Sequence, residues 1–411
     1  MASSLADWLS YIESLHPRDM ELGLARVAQV ARRLQLLPWA GRVVTVAGTN
    51  GKGSTVALLD HLARAGGWHT AVYTSPHILR FNERVRLDGV EVTDEALVAA
   101  FVQVEAAREA EQVPLTYFEF TTLAALCVFR AAAPDLLILE VGLGGRLDAV
   151  NIIDADVAVI TSVGLDHTDW LGDTRDAIAT EKAGIRRTGR PLLYGEEDMP
   201  PVVATLAEQD RVPLLRGGRD FGSDARGLFW QGSGPQPLPP VSLGEDNLAT
   251  AAQALALLGQ PPAPAHLATA ATLQLAGRCQ HLLRQGVDWY LDVGHNREAL
   301  ARFLRRAPAA RGGRTLAVCA MLGDKPVAAL APFAPVVEQW WLADLDGYRA
   351  GTAARLADAL PGAAVSCHAS VADAVRAARN TAGPGDRVLV FGSFYTVADA
   401  QTVLMAEVTG G

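Results

Sequence analysis

Cysteine is scarce in this chain of 411 residues. Cys127, Cys279, Cys319 and Cys367 stand apart, with no pair at metal-ligand spacing, so they read as reduced core residues rather than a disulfide framework or a zinc site. Long apolar runs are absent too, and nothing approaches the roughly 20 residues a membrane-spanning helix needs. The opening "MASSLADWLSYIESLH" carries Asp7 and Glu13 and has no unbroken apolar core, which makes it an amphipathic helix rather than a secretion signal. These absences predict a cytoplasmic protein with no membrane partner. Basic charge is also in short supply. Lys and Arg number 36 against 45 Asp and Glu, a formal net charge of −9, whereas general nucleic-acid binding needs a basic surface. A local cationic pocket for an anionic ligand is compatible with an acidic chain.

Half the residues are hydrophobic, and the length exceeds the roughly 100–200 residues of one ordinary domain, so two or more domains are expected. The first half alternates β-branched runs ("RVVTVAG", "HTAVYTS", "DLLILEVG", "ADVAVITSVG") with helical segments such as 53–65, "TTLAALCVFRAAA" and 174–185. Uninterrupted apolar strands alternating with helices predict a parallel sheet covered on both faces. Between Arg211 and Leu243 the chain turns rich in Gly and Pro, which favours hairpins and loops. A second α/β series starts near Val287 with "DWYLDVG" and continues through "RTLAVCAML", "VEQWWLADL" and "DRVLVFGS". The expected architecture is α/β: a P-loop-type parallel-sheet domain with a small β-rich segment over residues 1–284, then a Rossmann-like α/β domain over 285–411.

One further absence is informative. "VAGTNGKGST", residues 46–55, follows a strand and opens a helix, the setting of a phosphate-binding loop. Yet it lacks the hydroxyl residue that normally follows the loop lysine and holds Mg²⁺; Gly53 follows Lys52. Its glycines still let backbone N–H groups converge on phosphate oxygens, the helix presents its positive end, and Lys52 adds a full charge. Metal ligands must then come from elsewhere. Glu140 ends the apolar strand "DLLILE", and a carboxylate at the C-terminal end of a parallel strand faces the ligand crevice, where a hard cation takes oxygen donors beside phosphates. Ser75 and His77 in "YTSPH", and Asp166 and His167 in "GLDHTDW", follow two other strands. Each cluster taken alone is as compatible with turn chemistry.

As a set, "AGTNGKGS", "TSPH", "EVGLGGRLDAVN", "GLDHTDWLG", "EKAGI", Gly277-Arg278 and "DVGHN" resemble the Mur ligase superfamily. Within it they are most similar to the bacterial folylpolyglutamate synthases that also have dihydrofolate synthase activity. The resemblance implies an ATP-dependent acid–amino-acid ligase that joins L-glutamate to dihydropteroate and to folate glutamates through an acyl phosphate. The first domain would bind ATP and pterin, and the second would help place glutamate. Thr49, Asn50, Gly51, Lys52, Gly53 and Ser54 would hold the triphosphate, with Asn247 near the adenine and Arg278, Asp292 and His295 as further nucleotide contacts.

Ser75, Glu140 and His167 would match metal-binding positions. Lys182 matches a lysine carbamylated in the family, whose carbamate would serve a second Mg²⁺; the resemblance leaves room for K⁺ as a further cation. Lys52, Lys182, His167 and Glu140 would thus carry the catalytic chemistry. Asp19, Met20, Glu21 and Leu22, with Thr116, Tyr117, Phe118, Glu119, Arg146, Leu147 and Asp148, would face the pterin or folate. A monomer is the expected state. Glutamate-binding residues are not identifiable from the motifs. A synthase that only lengthens folate, another Mur-type amino-acid ligase, and a P-loop switch protein without ligase chemistry are the alternative readings.

Overall fold

In the computed structural model of the chain, residues 4–16, 21–347 and 349–406 are described; Asp19 and Met20 lie outside them. The chain divides into two compact units, 1–273 and 274–411.

The first unit is built on eight strands: β1 (Arg42–Ala47), β2 (Thr70–Tyr73), β3 (Val85–Leu87), β4 (Val90–Glu91), β5 (Leu136–Glu140), β6 (Val157–Ile160), β7 (Leu192–Tyr194) and β8 (Leu214–Arg216). Their order is β4-β3-β2-β5-β1-β6-β7-β8. The strands from β2 to β8 in this order run parallel. The central ones, β1, β5 and β6, are almost wholly buried, as helices on both faces require. The expected parallel sheet carries an antiparallel edge, where β3 pairs with β2 and β4 with β3. The polar segment "RLDGVE" spans a hairpin at Asp88-Gly89, where both residues have positive φ, and short polar edge strands of this kind limit edge-to-edge association.

The Gly/Pro-rich segment forms the expected β structure: β9 (Gly222–Asp224), β10 (Gly227–Trp230) and β11 (Ser233–Gln236) make a small antiparallel sheet. It packs on the helix Glu245–Leu257, which in turn packs on the helix Lys52–Ala65 that follows β1.

The second unit holds β12 (Gln280–Arg284), β13 (Val287–Asp292), β14 (Thr315–Cys319), β15 (Gln339–Ala343), β16 (Val365–His368) and β17 (Arg387–Phe391), in the order β12-β13-β17-β14-β15-β16. All pairs are parallel except β12 with β13. The boundary expected at 284/285 therefore moves to 273/274. β12, a half-exposed alternating strand read as part of the first domain, closes a hairpin onto β13 through Gln285 and Gly286, both at positive φ. Around Phe303, Phe333, Trp340 and Phe391 this unit has its own core.

A candidate ligase site at the strand ends

The loop between β1 and the helix Lys52–Ala65 is braced from β6. The Thr49 N–H donates to Ser162 O at 2.9 Å, the Asn50 N–H donates to Ser162 Oγ at 2.9 Å, and Asn50 O accepts from Thr161 Oγ1 at 2.6 Å and from Ser162 Oγ at 2.9 Å. Thr49 Oγ1 donates to Gly164 O and accepts from Gly164 N–H, at 3.2 and 3.0 Å. Gly51 caps the helix in the left-handed region, φ 89°, and a Cβ there would lie 2.7 Å from Asn247 Oδ1. Gly53 and the buried Ser54 occupy the first turn. Lys52 Nζ donates back to Gly48 O at 3.0 Å. Backbone donors, helix end and ammonium thus share one turn, as anion binding requires. Asn247 is no N-cap: it lies inside the helix Glu245–Leu257, where it donates to Leu243 O at 2.6 Å and accepts from Thr55 Oγ1 at 3.2 Å. Those bonds tie the helix to the loop. Thr161 and Ser162, which hold the loop's shape, escaped the sequence reading because hydroxyl residues at a strand end look like ordinary turn formers.

Glu140 lies at the buried end of β5, 4 % exposed, and accepts the Ser75 N–H at 3.3 Å. Two of the expected metal positions are therefore together. Lys182, also 4 % exposed, sits in the last turn of the helix Arg175–Ala183. Burial first, and then the positive charge of Lys52, push its ammonium down to about 7; Asp166 and Asp148 act the other way. The helix end that carries Lys182 is fastened to the "GGRLDAVN" segment: the Arg146 N–H donates to Glu181 O at 2.8 Å, and Asn151 Nδ2 donates to Arg146 O and Gly184 O at 3.0 and 3.1 Å. Arg146 itself pairs with Glu181 at 2.9 Å. His167 is exposed, in the left-handed region at φ 53°, on the turn that enters the helix Thr168–Leu171.

Among the described residues no three His, Cys, Asp or Glu side chains form a cation cage. The hydroxyl of Ser75, the carboxylate of Glu140 and the imidazole of His167 have the donor chemistry for a Mg²⁺ that takes much of its coordination from phosphates and water.

Phe118 packs against Tyr73, ring centroids 5.9 Å apart, and a Cβ on Gly142 would fall 2.7 Å from its Cζ. Asp148 is buried beside them and accepts N–H bonds from Leu143 and Val150, at 2.8 and 3.1 Å. Burial lifts its carboxyl to about 6. Leu147 is half-buried. Thr116 and Glu119 form a capping box at the start of the helix Tyr117–Ala132, and Glu119 also takes an ion pair from Arg26 at 3.1 Å. Arg26 pairs with Glu21 as well, and Leu22 is half-buried. Local structural work accounts for Thr116, Glu119 and Asp148 alike, so the half-buried Tyr117, Phe118 and Leu147 are the groups most available to a ligand.

In the second unit, Asp292 ends β13 and accepts N–H bonds from Cys279 and Gly294, each 2.8 Å; burial raises its carboxyl. Arg278 stacks over Phe394, 5.2 Å from the ring centre, and His295 Nδ1 lies 2.9 Å from Val293 O. Lys325 was missed. It follows β14, is 4 % exposed, and its backbone carbonyl accepts from Arg355. The chain leaves β14 for a turn packed on the helix Arg297–Arg306, whereas it leaves the neighbouring β17 for the helix Phe394–Met405, packed on Val371–Thr381. Diverging exits of this kind open the crevice where α/β sheets bind ligands. A compositional signal could have found Lys325. Of the 36 Lys and Arg residues, lysine occurs only at 52, 182 and 325. Lysine offers a compact, titratable amine where arginine offers a fixed planar fork.

A braced phosphate loop, a buried strand-end carboxylate and a buried amine of lowered pKa belong to the first unit, and an independent α/β unit follows it in the chain. The Mur ligase middle domain matches residues 46–191 and the Mur ligase glutamate ligase domain matches 277–394. The dihydrofolate synthase/folylpolyglutamate synthase of Escherichia coli is 44 % identical over 419 aligned residues, covering 100 % of this chain and 98 % of its own. The solved structure of E. coli FolC in complex with DHPP and ADP superposes with a TM-score of 0.93 at 43 % identity, with 99 % of each chain covered. A bifunctional folylpolyglutamate synthase/dihydrofolate synthase with Mn, AMPPNP and L-glutamate bound gives 0.89 at 43 % identity over 98 % of each chain. The chain belongs to the bifunctional dihydrofolate synthase/folylpolyglutamate synthase family of the Mur ligases.

Proposed function

We propose that this chain adds L-glutamate to dihydropteroate, forming dihydrofolate, and to folate glutamates, with ATP as the energy source. The full-length match to bifunctional enzymes supports both activities, and the braced loop around Lys52 is the observation that carries the ATP dependence. A carboxylate is a poor electrophile because oxide is a poor leaving group. One oxygen of the acid attacks the γ-phosphorus of ATP, the bond to the bridging oxygen breaks, and ADP departs. The glutamate amine then attacks the acyl carbon, and phosphate leaves as the amide forms.

Gly51, Gly53 and Ser54 offer the triphosphate the N–H groups at the helix start, and Thr49 and Asn50, whose own N–H groups donate to Ser162, hold the loop around it. Lys52 turns from Gly48 O toward the transferring phosphoryl group, where fixed positive charge is worth most. Asn247 shapes the adenine side, and Arg278, Asp292 and His295 are the further nucleotide contacts. Ser75, Glu140 and His167 would hold one Mg²⁺ and the carbamate of Lys182 a second, with K⁺ as a further cation; these ions supply charge neutralisation between two anionic substrates. Tyr117, Phe118 and Leu147 receive the pterin or folate, with Glu21, Leu22, Arg146, Asp148 and the helix cap of Thr116 and Glu119 forming its surroundings. Lys325 is the cation for a glutamate carboxylate. No helix among the described residues is long and apolar enough to cross a membrane, which accords with a cytoplasmic enzyme. Turnover with carboxylate-labelled dihydropteroate tests the chemistry: ¹⁸O should appear in released phosphate, and unlabelled phosphate excludes an acyl phosphate.

A further inference from the structure

We infer that Arg84 receives the carboxylate end of the acid substrate, positioned for it by His77, Phe81 and Tyr117. The inference rests on the ligase reading above, since that reading supplies the acid. The Arg84 backbone is tied to the loop that carries Ser75. The Thr74 N–H donates to Arg84 O at 2.9 Å, one residue before Ser75, whose own N–H reaches Glu140. On its other side are the aromatic groups of the pterin or folate pocket. The guanidinium carbon lies 5.5 Å from the centre of the Phe81 ring and 5.7 Å from that of Tyr117, and Tyr73, the neighbour of Phe118, feels its charge. Arg84 thus links the metal-position loop to the aromatic segment.

Its bonding leaves the anion-recognising edge unused. Nε donates to His77 Nδ1 at 2.9 Å. That bond and the two ring contacts fix the plane of the guanidinium, and Arg84 makes no ion pair with any described carboxylate. The adjacent Glu83 is turned away, its two oxygens accepting the N–H groups of Ile78, Leu79 and Arg80 at 2.7 Å each. A half-buried arginine held by a neutral acceptor and two aromatic rings retains its terminal N–H groups for a two-pronged bond to carboxylate. Both acids used by the enzyme end in a carboxylate at the reacting position. A residue that holds this end fixes one oxygen for attack on phosphorus, and serves aryl acid and folate alike.

The test compares two ligands in the same protein. Dihydropteroate and its decarboxylated analogue, carrying aniline in place of 4-aminobenzoate, are titrated in the presence of ADP and Mg²⁺. The wild type should favour the acid by about 10- to 100-fold, the usual worth of a charge-assisted bond. Arg84→Met should reduce that preference to within about threefold, with ADP affinity unchanged. Arg84→Lys, which keeps the charge and the stem, should fall between them and serves if the methionine variant does not fold. Because each preference is a ratio within one protein, general loosening of the site cancels. An unchanged preference in either variant overturns the assignment, as does weakened binding of folate alone, which would place the arginine on a different carboxylate. If the wild type forms no amide from either acid with glutamate and ATP, the ligase reading falls and the assignment with it. Product formation with an undiminished preference in the variants removes Arg84 alone.

Discussion

Supplying carbon dioxide to the purified protein should convert Lys182 to a carbamate, and Lys182→Met should abolish that uptake. Carbon dioxide adds only to a neutral amine. The ordinary value for lysine is 10.5, and burial together with the Lys52 charge brings Lys182 to about 7. At neutral pH roughly half of its amines are therefore free, against ~1 in 3,000 for a solvated lysine, an advantage on the order of a thousandfold. ¹³C NMR of wild type and Lys182→Met in labelled bicarbonate reads this directly, apart from any turnover. The carbamate signal should be present near pH 8 and fade below about pH 7, as protonation removes the nucleophile. Lys182→Ala should lose ligase activity and regain part of it with short carboxylates that replace the missing oxygens. Identical spectra for wild type and Lys182→Met at pH 8, or wild-type turnover by the variant without additives, would refute the reasoning.

Asp148 tests the other buried group. Its carboxyl rises from 3.8 to about 6, so between about pH 4 and 6 the folded chain keeps a proton that the unfolded chain has lost. Stability should therefore fall as pH rises through that window, by about 3 kcal/mol in all. Asp148→Asn should remove this component; equal pH slopes of Tm for the two proteins would contradict it. Gly48→Ala would place a Cβ against Thr161 Oγ1 at φ 153°, so the loop has to shift. ADP affinity, measured by calorimetry, should drop by roughly tenfold or more, given ~1–3 kcal/mol of backbone strain, and an unaltered affinity would show that the brace from β6 is dispensable. Lys325→Met should raise the KM for glutamate about 10- to 100-fold while leaving ADP affinity alone; an unchanged KM removes Lys325 from the glutamate site.

Much of the scaffold was legible because its signals are local. β1, β5, β6, β13, β14 and β17 are short apolar runs buried on both faces, and helices such as Lys52–Ala65 and Tyr117–Ala132 lie within a residue or a few of their expected positions. The short strands β3 and β4 were not legible. Nor was the membership of β12, because an alternating strand gives no hint of which sheet it joins. The same holds for the site. Lys52 and Glu140 are marked by motif and strand end, but the hydroxyl brace of Thr161 and Ser162 and the contact of Arg84 with Tyr117 depend on partners distant in the chain.

By itself the sequence determined the alternation of apolar strand and helix, the glycines that let a loop's amides converge, and the order of the motifs, since each depends on neighbours a few residues away. Tertiary structure alone decided what the charges do. It buried Lys182 until its amine could be neutral, turned Glu140 onto the Ser75 amide, and set Arg84 against two rings. The reason is physical: the cost of a charge is set by the water and the dipoles around it, and those come from every part of the fold at once.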